Sequence, residues 1–467
     1  MLFNSQVFFV FFSCFLMLYW FINKKSIQYR NCLILIGSYV FYAWWDWRFL
    51  FLILGSSLID FFVAKKINGS NKKFNWLLLS CLSNLGVLFI FKYFNFFTQS
   101  FIDLTNLFGL NISFNIINII LPVGISFYTF QTLSYSIDVY RNKINPTNNL
   151  ISFLSFVSFF PQLVAGPIER ASNLIPQIES KRSLNVDQFK AGFFQILVGL
   201  FRKIVIADNL ALYVDLIYGD PQIYNSSTLL LATFLYTFQI YFDFSGYSDI
   251  AIGTAKLLGF NFKQNFNLPY FSNSLTEFWR KWHISLSSWL KDYLYISLGG
   301  NRNGKWLTYR NLILTMLLGG LWHGSSWNFI IWGMIHGFVL AIEKLIFSKK
   351  EKNFGNSIGI LYTFPVVMIS WIFFRSETLD DSFFILNAIY YFDFTFPIIS
   401  NISVIVTSFF VLFIGLVFDI TLKIRKTHLE SFGKYLSDKI YIMCSCFIIL
   451  LLVLFYSSSE TFIYFQF

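Results

Sequence analysis

Charged side chains are scarce in this sequence. Asp, Glu, Lys and Arg make up 13% of its 467 residues, whereas 56% are hydrophobic and the mean hydropathy is +0.59. Soluble domains typically carry about 25% charged residues, so this chain has too few to cover a water-facing surface. The composition argues against a set of ordinary soluble domains and indicates a membrane protein.

Cysteine and histidine are also rare. The five cysteines, an odd number without CxxC spacing, lie in or beside apolar stretches, so we expect no disulfide framework and interpret them as buried apolar side chains. The four histidines lack HxxxH and HExxH spacing, and we therefore expect no metal site. A GxSxG nucleophile elbow, a phosphate-binding glycine loop and a dinucleotide fingerprint are absent as well.

The net charge of +11 does not indicate a nucleic-acid partner. Lys and Arg cluster in loops between apolar runs, where the positive-inside rule places them on the cytoplasmic side of a membrane. Examples are the loop with Lys24, Lys25 and Arg30 and the loop around Lys65 and Lys72. We expect membrane lipid as the surroundings, no nucleic acid as a partner, and an N-terminus outside the cytoplasm.

Long apolar runs are abundant, and many reach the length needed to cross a hydrocarbon core of about 30 Å. They do not alternate apolar and polar residues, which argues against a transmembrane barrel. The sequence predicts an all-α polytopic membrane protein with about 11–13 transmembrane helices and re-entrant or interfacial helices. The expected spans are 7–23, 31–45, 49–63, 76–96, 113–135, 191–217, 226–244, 311–327, 328–347, 356–374, 402–422 and 440–457.

Two stretches do not fit a simple span. Residues 151–165 are too short to cross and are expected to be re-entrant, whereas 245–310 are expected on or partly in the cytoplasmic face. Within the latter, apolar residues at three- to four-residue spacing predict a helical segment at 271–300. No internal repeat is visible, so we expect a single membrane domain over 1–467.

Charged residues in or beside apolar runs are candidate functional groups, because they are costly in hydrocarbon. For the basic ones, snorkelling to lipid headgroups is an equally good interpretation. For the two aspartates, we favour buried partnership with Arg or backbone N–H groups over catalysis. The candidates are Arg202, Lys203, Asp243, Asp249, Glu277, Arg280 and Lys281.

Three of the histidines stand out by their neighbours. His283, His323 and His336 each lie beside tryptophan or glycine in apolar surroundings, whereas His428 lies in a basic loop and is expected to be solvated. An imidazole in such apolar surroundings stays largely neutral and is able to act as a general base. Glycines around His323 permit close backbone approach or a helix break, which favours a functional role over simple packing.

The blocks FSNSLTEFWRKWHISLSSWLKDYLYISLGGNR at 271–302 and GGLWHGSSWNFIIWGMIHG at 319–337 resemble the membrane-bound O-acyltransferase family. Within that family, they are similar to the bacterial branch that acetylates alginate and peptidoglycan. Further matching blocks are SYVFYAWWDWRF, GISFYTFQTLSYSIDVYR, FFPQLVAGPIER, YFDFSGYSDIAIG and the terminal FIYFQF. The resemblance covers nearly the whole chain.

The resemblance implies a helical fold around a central tunnel. It implies that His323 is the catalytic histidine, that His283, 40 positions earlier, is its polar partner, and that His336 is supporting. The implied reaction is acyl transfer from a cytoplasmic thioester, acetyl-CoA, to a hydroxyl, with no bound cofactor. Arg202, Lys203, Arg280 and Lys281 are then expected to attract the phosphates of the donor.

In this branch, an extracytoplasmic esterase-like acetyltransferase completes transfer to a polysaccharide or peptidoglycan. No expected outside loop of this chain exceeds about 30 residues, so the esterase-like protein is expected to be a separate partner. The resemblance also implies that this chain lies in a bacterial inner membrane. D-alanyl transfer to teichoic acid is the alternative within the family. A polysaccharide transporter and a non-catalytic scaffold are alternatives outside it.

The charge alternation along the chain predicts that both termini face outward. Single cysteines at positions 2 and 460 should react with a membrane-impermeant thiol reagent in intact cells. Protection of either position would contradict the predicted topology.

Overall fold

The computed structural model describes residues 1–110, 112, 119–164, 166–347, 356–398, 401–425, 429, 436–456 and 462–463. Across these residues, the regular secondary structure is helical, which confirms the all-α class. Contacts group the chain into two compact units, Met1–Leu2 with Gln6–Leu184, and Phe3–Ser5 with Asn185–Phe467. The single membrane domain over 1–467 stays a prediction, and His428 and position 460 lie outside the described residues.

In the part of the first unit that the structure describes, there are nine α-helices. The stretch expected to be re-entrant at 151–165 contains, in its described residues, two short helices separated at Phe159. The start of the span expected at 113–135 lies outside the described residues at 113–118, and the described helix begins at Ile125, after Gly124 with a φ of 79°. The helices are α1 (Gln6–Asn23), α2 (Ile27–Ala43), α3 (Leu50–Gly69), α4 (Lys73–Leu88), α5 (Phe94–Leu107), α6 (Ile125–Tyr140), α7 (Leu150–Ser158), α8 (Phe160–Leu163) and α9 (Ala171–Glu179).

The second unit carries all the candidate site residues. Two π-helical stretches, Phe201–Ala207 and Leu290–Tyr295, interrupt its helical runs. The described α-helices are α10 (Val186–Leu200), α11 (Asp208–Gly219), α12 (Ser226–Leu257), α13 (Leu275–Lys281), α14 (Ile284–Trp289), α15 (Lys305–His323), α16 (Trp327–Ile346), α17 (Asn356–Arg375), α18 (Leu379–Tyr390), α19 (Ile402–Arg425) and α20 (Asp438–Leu454).

Among the described residues, six helical runs are long and apolar enough to cross a membrane. They are Gln6–Asn23, Trp47–Gly69, Lys73–Leu107, Trp327–Ile346, Ser357–Arg375 and Ile402–Arg425. Less than half of each run is buried within the protein, as expected for helices that face lipid. The interpretation of all cysteines as buried is wrong, because the side chains of Cys14 and Cys446 are exposed. The total of 11–13 spans and the central tunnel stay predictions.

The location of residues 245–310 on or partly in the cytoplasmic face stays a prediction. The first part of this stretch, up to Leu257, continues the long buried helix α12. The predicted helical segment at 271–300 is present, but it is broken at His283 between α13 and α14. Phe278, Trp282 and Leu286, which belong to the apolar residues that predicted this segment, are buried within the protein.

Helices α15 and α16 pack at backbone contact because glycines face each other across the pair. A Cβ on Gly320 would collide with the carbonyl oxygen of Phe329, and one on Gly333 with that of Met316. Small residues allow such close approach between membrane helices. This packing sets the position of His323 at the end of α15 relative to His336 on α16.

Gly320→Leu should destabilise the protein by about 1–3 kcal/mol or more, because the side chain has no space at the α15–α16 contact. Gly86→Leu is the matched control, since a Cβ at Gly86 meets nothing within 4 Å. Thermal unfolding in detergent measures both. Equal unfolding temperatures for the two variants would contradict the described packing.

Candidate active site

His283 lies at the break between α13 and α14, in a backbone conformation that is uncommon for a side-chain-bearing residue. Its φ is 42°, and its ring is fully buried. A non-glycine residue in this region costs about 1–2 kcal/mol, so the surrounding contacts must hold it there. The ring packs edge-on against Phe244 at 4.7 Å, and Nδ1 lies 3.1 Å from Oδ1 of Asn265. Burial lowers the pKa of His283 to about 3, so its imidazole is neutral at physiological pH.

His323 is the last residue of α15. Gly324 ends the helix in an extended conformation, as the glycines around His323 led us to expect. The imidazole is 5% exposed and has aromatic rings on several sides. Its centroid lies 5.0 Å from Trp322, 5.1 Å from Trp332 and 5.4 Å from Phe374. His323 is therefore held in a nearly dry aromatic pocket.

Two tryptophans connect the three histidines. Trp322 is adjacent to His323 in sequence and lies 6.3 Å from the ring of His283. Trp332 lies 5.1 Å from His323 and 4.8 Å from His336. The structure thus brings the three histidines of the sequence analysis into one contiguous aromatic cluster. Their roles in the reaction stay predictions.

His336 uses both of its ring nitrogens within the protein. Nδ1 accepts a hydrogen bond from Nε1 of Trp279 at 3.3 Å, so Nε2 carries the proton of the neutral ring. Nε2 lies 3.0 Å from Oγ of Ser370, which donates onward to the carbonyl of Val367 at 2.7 Å. With both nitrogens engaged, His336 is suited to support the cluster and not to take a substrate proton.

Arg202 and Lys203 are buried in ion pairs. The Arg202 guanidinium lies 2.8 Å from Asp249 and 2.7 Å from Asp419. The Lys203 ammonium lies 2.7 Å from Asp208 and 2.6 Å from Asp243. Asp249 is thus a buried partner of an arginine, as expected, and Asp243 accepts a hydrogen bond from the backbone N–H of Ile463 in addition to pairing with Lys203. Contact of Arg202 and Lys203 with donor phosphates stays a prediction, and the ion pairs disfavour it.

The π-helical stretch Phe201–Ala207 explains how Lys203 reaches its partner. A π turn bonds residue i to residue i+5, and here the backbone N–H of Asp208 donates to the carbonyl of Lys203. The side chains of Lys203 and Asp208 therefore face each other, whereas a regular α-helix places neighbours three or four residues apart. A π turn holds one residue more than an α-helical turn, and the sequence contains no signal that predicts it here.

The two other predicted phosphate ligands lie in a different setting. Lys281 pairs with Glu277 at 2.7 Å, while Arg280 is exposed. Arg280 lines a cavity of about 430 Å³, together with Lys344 on α16. Of the four predicted phosphate ligands, Arg280 has the most open surroundings.

Glu343 is a positioning group that the sequence analysis missed. Its carboxylate accepts hydrogen bonds from the backbone N–H groups of Leu275 and Thr276 and from the Thr276 hydroxyl. Glu343 therefore fixes the start of α13 to α16, and α13 leads directly to His283. An acidic residue inside the apolar stretch AIEKLI was the available signal.

A family model described as the membrane-bound O-acyltransferase family matches residues 141–376, which include all the candidate site residues. A probable alginate O-acetylase of Pseudomonas aeruginosa is 46% identical over 387 residues, which cover 81% of this chain and 73% of that protein. The chain belongs to the membrane-bound O-acyltransferase family. It is therefore a multi-pass membrane acyltransferase.

Other relatives of this acyltransferase differ in their named substrates. A peptidoglycan O-acetyltransferase of Helicobacter pylori is 37% identical over 396 residues, covering 78% of this chain and 74% of that protein. A teichoic acid D-alanyltransferase of Bacillus subtilis is 27% identical over 278 residues, which cover 56% of this chain and 70% of that protein. The acetylating relatives are thus more similar to this acyltransferase, and over more of its length.

Arg202→Met should strongly destabilise this acyltransferase. The substitution leaves Asp249 and Asp419 buried without their shared cation. Removing one partner of a buried ion pair costs about 3–5 kcal/mol of stability. Lys190→Met is the matched control, because the Lys190–Asp438 pair is exposed and such pairs contribute little. Folded protein recovered by size exclusion after heating measures both, and similar recovery would contradict the structural role of Arg202.

Proposed function

We propose that this protein is a bacterial inner-membrane O-acetyltransferase. It moves an acetyl group from a cytoplasmic thioester, acetyl-CoA, across the membrane for O-acetylation of a cell-surface polysaccharide or peptidoglycan. The observation that carries the proposal is the aromatic cluster, in which Trp322 contacts both His283 and His323. The names of the acetylating relatives support the acyl group and the class of acceptor.

In the proposed reaction, His323 is the general base. It takes the proton of the acceptor hydroxyl while the hydroxyl oxygen attacks the thioester carbonyl. The tetrahedral intermediate collapses as the C–S bond breaks, and the leaving thiolate receives a proton, so that an O-acetyl ester and free thiol result. His283 either orients the hydroxyl or stabilises the developing charge.

The surroundings of His323 suit a reaction that competes with hydrolysis. Water that reached the thioester would consume the acetyl group without transfer. Trp322, Trp332 and Phe374 occupy the space around the imidazole, which is 5% exposed. A site that excludes water in this way favours the intended hydroxyl as nucleophile.

The donor phosphates are proposed to bind at the cavity that Arg280 lines with Lys344. Both side chains are exposed and cationic, and the cavity adjoins α13, the helix that ends beside His283. Arg binds phosphate oxygens through two parallel hydrogen bonds, and Lys adds a point charge. A carrier-protein thioester, as expected for D-alanyl transfer, is the alternative donor.

Transfer to a polymer outside the cell needs a second protein in this proposal. An extracytoplasmic esterase-like acetyltransferase would accept the acetyl group and pass it to the polysaccharide or peptidoglycan. Deleting the gene of such a partner should remove acetylated polymer while leaving the membrane level of this protein unchanged.

His323→Ala should abolish acetyl transfer while the protein remains folded and inserted. Loss of a general base typically lowers the rate about 10² to 10⁴-fold, whereas loss of one imidazole costs only a few kcal/mol of stability at most. His283→Ala should also be impaired, and His428→Ala should be near wild type. The measurement is transfer from labelled acetyl-CoA and acetylation of the cell-surface acceptor, each divided by membrane protein level.

More than about a tenth of wild-type product from His323→Ala would overturn the proposed base. Transfer from a D-alanyl carrier protein, without transfer from acetyl-CoA, would favour the alternative branch of the family. Unchanged product from all the histidine variants would indicate a non-catalytic scaffold.

A further inference from the structure

Asn265 is a fully buried side chain that contacts His283 directly. Its Oδ1 lies 3.1 Å from Nδ1 of His283, 3.2 Å from the backbone N of Ser285 and 2.9 Å from the Ser285 hydroxyl. Its Nδ2 donates to Oγ of Ser248 at 3.1 Å. Both ends of this amide are thus committed within the protein.

The contact with the backbone fixes which way the amide points. The two ends of an asparagine amide are normally hard to tell apart, and the assignment depends on the hydrogen-bond partners. A backbone N–H is only able to donate, so the amide atom facing the N–H of Ser285 must be the oxygen. That same oxygen is the atom that faces His283.

The orientation of the amide determines which nitrogen of His283 carries a proton. A carbonyl oxygen only accepts hydrogen bonds, so Nδ1 of His283 must be the donor. Burial keeps the imidazole neutral, and a neutral imidazole has one N–H and one lone pair. Nε2 of His283 therefore carries the lone pair.

The backbone around His283 supports this contact. The N–H of Ile284 donates to the carbonyl of Asn265 at 2.9 Å, and the N–H of Asn267 donates to the carbonyl of Lys281 at 2.9 Å. These two bonds fasten residues 265–267 to the break between α13 and α14. They also help to hold His283 at its positive φ, so the side-chain contact is part of a fixed local structure.

We propose that Asn265 is a positioning residue that holds His283 in its Nδ1–H form and makes Nε2 a hydrogen-bond acceptor. This inference rests on the proposed function, which left two roles for His283 open. Stabilising a developing oxyanion needs an N–H donor, and the only N–H of neutral His283 is bonded to Asn265. Orienting a hydroxyl needs an acceptor, which Nε2 provides. His283 therefore orients the acceptor hydroxyl, or the ring of His323, through its lone pair.

The form of His283 is measurable without any activity. The chain has only four histidines, so the protein labelled with ¹⁵N-histidine and reconstituted in bilayers gives few imidazole signals. His283→Gln identifies the signals that belong to this residue. We expect a protonated Nδ1 and an unprotonated Nε2 for His283 in the unsubstituted protein. A protonated Nε2 would overturn the inference, whatever the activity of the variants.

Activity measurements then test whether Asn265 acts through His283. Asn265→Asp keeps an acceptor at this position and should retain kcat within about fivefold, whereas Asn265→Leu should lose about tenfold or more. Adding Asn265→Leu to His283→Gln should cause no further loss, because the two residues act as one unit. Multiplied losses in the double variant would indicate a separate structural role and overturn the inference.

Asn209→Leu is the matched control for burying leucine in place of asparagine. Asn209 is buried in the same unit, and its Nδ2 donates to the backbone carbonyls of Ile204, Val205 and Phe455. The kcat of the Asn209→Leu variant, per folded protein, should stay near the wild-type value. If Asn265→Leu does not accumulate, the spectrum of the unsubstituted protein and the Asn265→Asp activity still decide the question.

The same experiments give one result if the proposed function is wrong and another if the inference about Asn265 is wrong. If the spectrum shows a protonated Nδ1 and His283→Gln retains full transfer, the inferred tautomer is correct and the proposed role of His283 in the reaction is wrong. If both the spectrum and the double variant agree with the expectations, the positioning role of Asn265 and the part of His283 in transfer are supported together.

Discussion

The cost of burying polar groups away from water constrains this structure throughout. A charged or hydrogen-bonding side chain in an apolar interior needs partners from the protein itself. Arg202 meets this need with two carboxylates, and Lys203 with two others. Glu343 meets it by capping a helix, and His336 by bonding through both ring nitrogens. Each of these four side chains therefore has partners within the protein.

The candidate active site follows from this constraint and from close helix packing. Glycines at the α15–α16 contact set the spacing between His323 and His336, and Trp332 fills the space between the two rings. His283 reaches the cluster from a separate segment, which Asn265 holds in place. Each histidine thus occupies a different electrostatic setting although all three lie in one aromatic cluster. The three rings therefore differ in the hydrogen-bond partners that surround them.

Most of the correct predictions from the sequence came from residue types that are rare in it. Few charges and long apolar runs predicted the membrane class, and three histidines beside Trp or Gly predicted residues that the structure brings together. Asp419 and Asp208 were not predicted as partners, since Asp419 lies far from Arg202 in sequence and Lys203 meets Asp208 only through a π turn. Asn265 had no signal, because an asparagine in a polar stretch is ordinary until the fold places it against His283.

The π turn at Phe201–Ala207 also bears on how this chain is able to change in length. Its wider turn, in which the backbone bonds five residues apart, takes up one residue more than a regular α-helical turn. Removing one residue between Lys203 and Asp208 would leave the two side chains four residues apart, which in a regular α-helix still places them on the same face. Adding a residue instead would separate them. The Lys203–Asp208 ion pair is therefore compatible with loss of the extra residue, whereas an insertion disrupts it.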